Sequence, residues 1–560
     1  MDLHRVPNAL GRHAPRGWRS GRGATATVLA FTVVWLVLVV PDDVRHVSPV
    51  ALLRIPAEGL VLAAVLLALP ARATRTARAL PWVAGAALGV VLLAELADYG
   101  FYQVLDRPAH PVTDWRLLGN GLDYVTQTWG RAASAGLALG AAILAVGLPL
   151  LIGACTARVG GVLRRRRGAA VRPLAVLAVA WAGLALTGAQ LVAGTPVAAH
   201  SVTAATADQL SRARADLNDD ASFARQLASD RSRATATGAP LAGLRGKDVI
   251  FAFVESYGRS AVEDPGIAPG VDAVLEAGNR DLRAAGFSAR SGFLTSSTFG
   301  GRSWLGHSTL MSGTWTDSQA RYDQLLAGTH PTLVSDFAGA GWRTVATMPG
   351  TGQAWPEGMR FYGYDKLYIS TALGYRGPAF SWSPMPDQFV LSQLQRLELG
   401  AGRTTPVLTT VELTSSHNPW APLPTAVPWD AVGDGSVFRP QPKQGRQPAD
   451  VWKDPAQVRL EYGRSIQYSV STLLSFVEHY GTEDTVLVFL GDHQPVKIVT
   501  GDNASHDVPV AIVAKDPAVL ERISSWGWTD GVHPRHDAPV WRMDAFREKF
   551  LAAFSTPAAR

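Results

Sequence analysis

The chain has 560 residues, 52 Lys and Arg against 46 Asp and Glu, a net charge of +6 and a single cysteine. That length exceeds the ~100–200 residues usual for one domain. The lone Cys155 excludes a disulfide framework, a cysteine metal site and a cysteine nucleophile in everything that follows it.

Apolar runs come first, at Ala24–Val40, Ala51–Leu69, Leu80–Ala97, Ala132–Ala154 and Leu174–Val192. Each approaches the ~20 residues that cross a bilayer as a helix, so five spans are expected. The second carries Arg54 and Glu58, four residues apart and so on one helix face, placed to pair or to sit at the interface. No small-residue cleavage site ends the first run, so a signal peptide is not expected. Arginines set the orientation. Arg5, Arg12, Arg16, Arg19 and Arg22 precede the first run. Arg72, Arg75 and Arg78 follow the second, and Arg158, Arg164–Arg167 and Arg172 follow the fourth. The loop after the first run has only Arg45, and the loop from Asp98 to Arg131 balances arginines with aspartates. The positive-inside rule then puts the N-terminus in the cytoplasm and everything beyond about residue 199 outside the cell. Beside a span, "RRRR" reads as an inward-facing anchor, and no nucleic-acid partner is expected.

The expected division is a membrane domain over 1–199, a linker over 200–240 and an outer domain over 241–560. Val202–Arg233 is alanine-rich and charged with helical spacing, which predicts a linker helix, a flexible tether being the alternative. The outer part carries apolar segments at Asp248–Ser256, Trp342–Gly350, Pro406–His417, Thr485–His493 and Val508–Asp516, with helical patterns between them. These predict an α/β fold with a central, mostly parallel sheet between helices. The proline-rich stretch near Pro419–Pro442 is expected to be a long loop over one face.

In such sheets chemistry gathers beyond the carboxyl ends of the strands. Three of the segments finish in polar groups: Glu255, His417, and Asp492 with His493. A buried strand ending in a carboxylate must solvate that charge, by capping the next helix or by holding a metal. Glu, Asp and His with a hydroxyl form a mixed donor set suited to Mn²⁺, Mg²⁺ or Zn²⁺. Ser303 follows Gly300, Gly301 and Arg302 in "FGGRSWLGHSTLMSG". It reads either as a turn serine capping a helix or as a nucleophile whose hydroxyl a divalent ion activates.

"VIFAFVESYG", "GGRSWLGHSTLMSG", "TSSHNPW" and "LGDHQP", in this order, resemble the alkaline phosphatase and sulfatase superfamily, and most of all the lipoteichoic acid synthases and related membrane-anchored sulfatase-fold proteins. The resemblance implies a single divalent ion, Mn²⁺ first, held by Glu255, Ser303, Asp492 and His493. It makes Ser303 the nucleophile and His417 the group that contacts substrate or protonates the leaving group. "WPEGMRFYGYDKLY" is similar to the synthase segment whose Trp and Arg bind substrate, here Trp355 and, at a different spacing, Arg360. "SHDVPVAIV" is similar to the segment of phosphoethanolamine transferases whose histidine contacts phosphate or a second metal, here His506, with Asp507 inserted. Sulfatases require a nucleophile, proline and arginine at set spacing for formylglycine. Here the proline is missing, and His307 stands where the arginine would be. The expectation is therefore a serine-based phosphotransferase or phosphodiesterase, acting on a membrane lipid or envelope-polymer phosphoester, with Arg302 also facing the anion. The alternative is a sulfuric or phosphoric ester hydrolase of the same fold.

Overall fold

The computed structural model describes residues 16–39, 52–70, 72–192, 195–233 and 240–555. Arg5, Arg12 and Arg45, and the ends of the first two apolar runs at Val40 and Ala51, lie outside them. The chain forms two compact units, one built from 1–99, 109–111 and 135–214, the other from 100–108, 112–134 and 215–560.

In the first unit, three helices among the described residues are long and apolar enough to cross a membrane: Thr74–Leu105, Arg131–Arg165 and Arg167–Thr187. They take up the third, fourth and fifth apolar runs. The first two runs form the shorter apolar helices Gly23–Val39 and Ala57–Ala68. At 1.5 Å per residue the latter spans about 18 Å, short of a ~30 Å hydrocarbon core. The second run is interrupted where its polar residues sit. Arg54 donates to the carbonyls of Pro196 and Val39 at 3.1 and 3.2 Å. Glu58 accepts from the amide and hydroxyl of Thr203 at 2.9 Å each. Ser201–Arg233 is one continuous helix, whose Arg212 pairs with Asp98 at 2.6 Å.

The second unit is organised by a nine-stranded sheet. We number its strands β1 Asp248–Val254, β2 Ser288–Thr295, β3 Arg343–Met348, β4 Lys366–Ile369, β5 Val407–Leu413, β6 Thr485–Gly491, β7 Asp507–Ala514, β8 Thr529–Asp530 and β9 Val540–Arg542. The order is β8-β2-β7-β6-β1-β5-β3-β4, with β9 also on β2. From β6 to β4 every pairing is parallel. The pairings β6–β7, β7–β2 and β2–β8 are antiparallel. The five apolar segments expected as strands all lie in this sheet. The short strands β4, β8 and β9 and the polar strand β2, "SARSGFLT", carry no strong apolar run and are not legible in the sequence.

Both faces are covered, which explains the near-continuous apolar runs. Along β1, Ile250, Ala252 and Val254 pack in one core while Val249, Phe251 and Phe253 pack in the other. Helices α1 (Ala268–Ala284) and α3 (Pro455–Tyr480) cover the first face, through Val271, Leu275, Ile466, Val470 and Leu473. Helices α2 (Ser303–Ser312) and α4 (Ala545–Phe554) cover the second, through Leu305, Leu310, Phe546 and Phe550. The 419–442 stretch is irregular apart from the short turns Trp429–Ala431 and Ser436–Phe438 and the start of the helix Gln441–Gln444.

Candidate active site

Strands β6, β1 and β5 are adjacent and parallel, so their carboxyl ends meet at one edge of the sheet. Glu255 follows β1, His417 follows β5, and Asp492 and His493 follow β6. The crossing to α2 brings in Ser303 as the first residue of that helix, preceded by Arg302 in a left-handed conformation (φ 62°). α2 comes in close because its fourth residue is Gly306, where a Cβ would stand 2.7 Å from the Asp492 carbonyl oxygen.

Ser303 Oγ donates to Glu255 Oε2 at 2.9 Å and lies 3.2 Å from His493 Nε2. His493 Nε2 is 3.3 Å from Glu255 Oε1 and 3.6 Å from Asp492 Oδ2. One ligand atom from each of Glu255, Asp492 and His493 falls within 4.8 Å of the others, and all three residues are buried. Asp492 uses Oδ1 to accept from the amides of Ser256 and His493, at 2.8 Å each. Its Oδ2 is buried with no hydrogen-bond partner. His493 Nδ1 lies 2.8 Å from the Gln494 carbonyl; donating there aims Nε2 at the carboxylates. An orphaned carboxylate oxygen, a second carboxylate, an oriented imidazole and a hydroxyl are a donor set that fits a divalent ion.

The protonation pattern reflects this crowding. Burial, followed by the Glu255 charge, pushes Asp492 up to about 6. Burial opposes charge on His493, yet Asp492 and Glu255 raise it to about 9. Burial would raise Glu255, but the hydrogen bond and charge of His493 hold it well below the usual carboxylate range. His417 is held down by burial, against the pull of Glu255. Its ring stacks on Trp382, with centroids 3.6 Å apart.

The cluster opens into a pocket of about 770 Å³ lined by Glu255, Arg302, Ser303, Trp355, His417 and Asp492 among others. His493 lies beneath it, fully buried. Arg302 is 8% exposed, and its Nε and Nη1 have no hydrogen-bond partner. Burial, with a contribution from Arg107, lowers its guanidinium to about 9. Two residues singled out in the sequence sit elsewhere. Arg360, on the last turn of the helix Pro356–Tyr362, is exposed and does not line the pocket. His506 faces Asp106 at 3.7 Å and the Phe299 ring at 5.2 Å.

His307 and Glu412, both lining the pocket, complete the polar wall. His307 Nδ1 is 3.4 Å from Glu412 Oε1, and Nε2 is 3.8 Å from Asp492 Oδ2. Burial opposes its charge, but Glu412 raises its pKa above the usual value. His307 is four residues after Ser303, hence on the same helix face, which is the signal that could have found it. Glu412, a charge inside an apolar strand, gives no such spacing cue.

No family model matches the chain, and no curated protein matches it. Solved structures do. They include the lipoteichoic acid synthase LtaP from Listeria monocytogenes, at 15% identity and TM-score 0.38, covering 56% of this chain and 76% of that one. The phosphoglycerol transferase GacH from Streptococcus pyogenes, solved with sn-glycerol-1-phosphate, is 14% identical with TM-score 0.34, over 60% and 91% of the two chains. The C-terminal periplasmic domain of EcEptC from Escherichia coli is 14% identical with TM-score 0.36, over 55% and 82%.

Proposed function

We propose that this protein is a membrane-anchored, metal-dependent phosphotransferase or phosphodiesterase. It would use Ser303 as nucleophile on a lipid-linked or cell-envelope phosphoester, outside a membrane crossed five times from a cytoplasmic N-terminus. The observation that carries this reading is the placement of Ser303 Oγ. It sits at a helix N-terminus, hydrogen-bonded to Glu255 at 2.9 Å and 3.2 Å from His493, on a pocket also lined by the neighbouring buried Arg302, whose Nε and Nη1 have no partner among the described residues.

Glu255, Ser303, Asp492 and His493 would hold one divalent ion, Mn²⁺ by preference. Bound there, such an ion lowers the serine hydroxyl's pKa and offsets charge on the phosphoryl oxygens. The remaining work falls to the chain's own groups. Glu255, held ionised, orients the Ser303 hydroxyl through their hydrogen bond, and the Ser303 proton is released to solvent as the Oγ–P bond forms. Arg302 offers Nε and Nη1 to the equatorial phosphoryl oxygens. His417 is neutral in the resting pocket, and an entering anion raises its pKa so that it arrives protonated. As the bond from phosphorus to the leaving oxygen breaks, His417 supplies that oxygen with a proton. In the second half an acceptor hydroxyl or water attacks the phosphoserine and returns a proton to His417, and Ser303 recovers its own. Trp355, with its apolar face on the pocket, suits the uncharged part of the donor.

The test is mass spectrometry of the full chain after incubation with envelope lipids and Mn²⁺. A phosphoryl adduct on Ser303, absent from Ser303→Ala, is expected. A Ser303→Ala protein that keeps full turnover would end this reading. Dependence of product on an added acceptor alcohol separates transfer from hydrolysis.

A further inference from the structure

The nucleophile loop does not stand on the C-terminal part of the chain alone. Residues 100–108 and 112–134, which run from the last turns of the helix Thr74–Leu105 to the first turn of Arg131–Arg165, belong to the same compact unit as the sheet. Gly300, three residues before Ser303, has φ +68°, and a Cβ there would overlap the Val104 carbonyl oxygen. A Cβ on Gly301 would lie 3.8 Å from Leu105 Cδ2. Gly300 thus leaves room for backbone approach from this segment, and both glycines take positive φ, which residues with a side chain rarely adopt.

Side chains fasten the contact. Asp106, itself left-handed at φ 49°, pairs with Lys497 at 2.6 Å and faces His506 at 3.7 Å. Lys497 also lies over the Tyr102 ring at 5.6 Å. His506 in turn packs on Phe299 at the foot of the loop, and Phe299 bridges to Gln494 beside His493. Further along, Arg107 holds Asp114 through two bonds of 2.6 and 2.8 Å, and Leu117 lines the active-site pocket.

We propose that Gly100–Pro108, with Val112–Leu117, form a strap that positions the nucleophile loop, with the Asp106–Lys497 ion pair as its clasp. Asp106 and Lys497 are positioning residues, acting on Ser303 through Val104, Gly300 and Arg302. The C-terminal turns of the apolar helix Thr74–Leu105 and the residues after them thereby set the geometry of the reacting serine, and His506 serves the clasp. The kinetic consequence rests on the function proposed above; the contact itself does not.

Two readouts on the full-length protein test this. In a Cys155→Ser background, Asp106→Cys with Lys497→Cys is treated with a short bismaleimide, and efficient intramolecular cross-linking is expected. Absence of cross-linking overturns the strap whatever the turnover. With bis(p-nitrophenyl) phosphate and Mn²⁺ as the probe, Lys497→Glu faces Asp106 with a like charge. It is expected to lower kcat at least tenfold while metal content and melting temperature stay with the parent. Adding Asp106→Asn removes the repulsion and is expected to recover most of the loss, which damage confined to the catalytic domain would not allow. A kcat within twofold of the parent, or a loss that Asp106→Asn does not recover, overturns the positioning role. A parent that turns over no phosphodiester sinks the Ser303 reading instead, and cross-linking alone then decides the strap.

Discussion

Ser303 and Glu255, 48 residues apart in the chain, share a 2.9 Å hydrogen bond at the edge where a parallel strand pair ends. Removing the serine hydroxyl should therefore remove the reaction and little else. Ser303→Ala is expected to lower kcat at least about a thousandfold, with the melting temperature within a few degrees of the parent. Ser303→Thr keeps the hydroxyl and should retain measurable turnover. Steady-state kinetics beside a thermal melt checks both.

Asp492 separates metal binding from folding. Its Oδ2 is buried without a partner, and the Glu255 charge adds to burial in pushing its pKa up. Asp492→Asn keeps the shape and removes the repulsion. Without metal the variant should melt at or above the parent temperature. Mn²⁺ is expected to raise the melting temperature of the parent and not that of the variant, with affinity down at least ~100-fold. Calorimetric titration with Mn²⁺ decides it, and parent-like binding would remove Asp492 from the ligand set.

Arg302 should act on substrate binding. Its Nε and Nη1 have no partner among the described residues, and charge-assisted hydrogen bonds contribute about 1.5–3 kcal/mol. Arg302→Ala is expected to raise KM for an anionic phosphoester by ~10–100-fold. Arg302→Lys keeps the charge without the fork and should fall between the two. Equal KM values across the three proteins would take Arg302 out of substrate binding.

Asp387 gives a pH signature away from the site. It is fully buried; its carboxylate accepts from the Ser415 amide at 2.9 Å and the Ser469 hydroxyl at 2.6 Å. Burial dominates and pushes its pKa up to about 6 from 3.8. The folded protein thus holds this proton more tightly than the unfolded chain. Stability from this group is greatest below about pH 4 and falls as pH rises towards 6, by about 2–3 kcal/mol. Asp387→Asn, which cannot ionise, should flatten that fall in melts taken across pH 4–7. An unchanged slope would mean the carboxylate is solvated when charged.

The sequence by itself determined the five apolar strands at the heart of the sheet, β1, β3, β5, β6 and β7, and which residues stand at their ends. Continuous β-branched runs such as "DVIFAFV" need burial on both faces, and a charge such as Glu255 can follow them only where the strand leaves the core. It also determined that apolar helices precede this domain, because hydropathy over about 20 residues is local information. Only the tertiary structure decided the rest. Ordering β6, β1 and β5 side by side and parallel makes neighbours of residues more than 200 positions apart. The same packing put His307 against Glu412, turned Arg360 outward, gave His506 to Asp106 and cut the second apolar run to a 12-residue helix. Each of these depends on which distant element fills the space beside a residue, and no spacing along the chain encodes that.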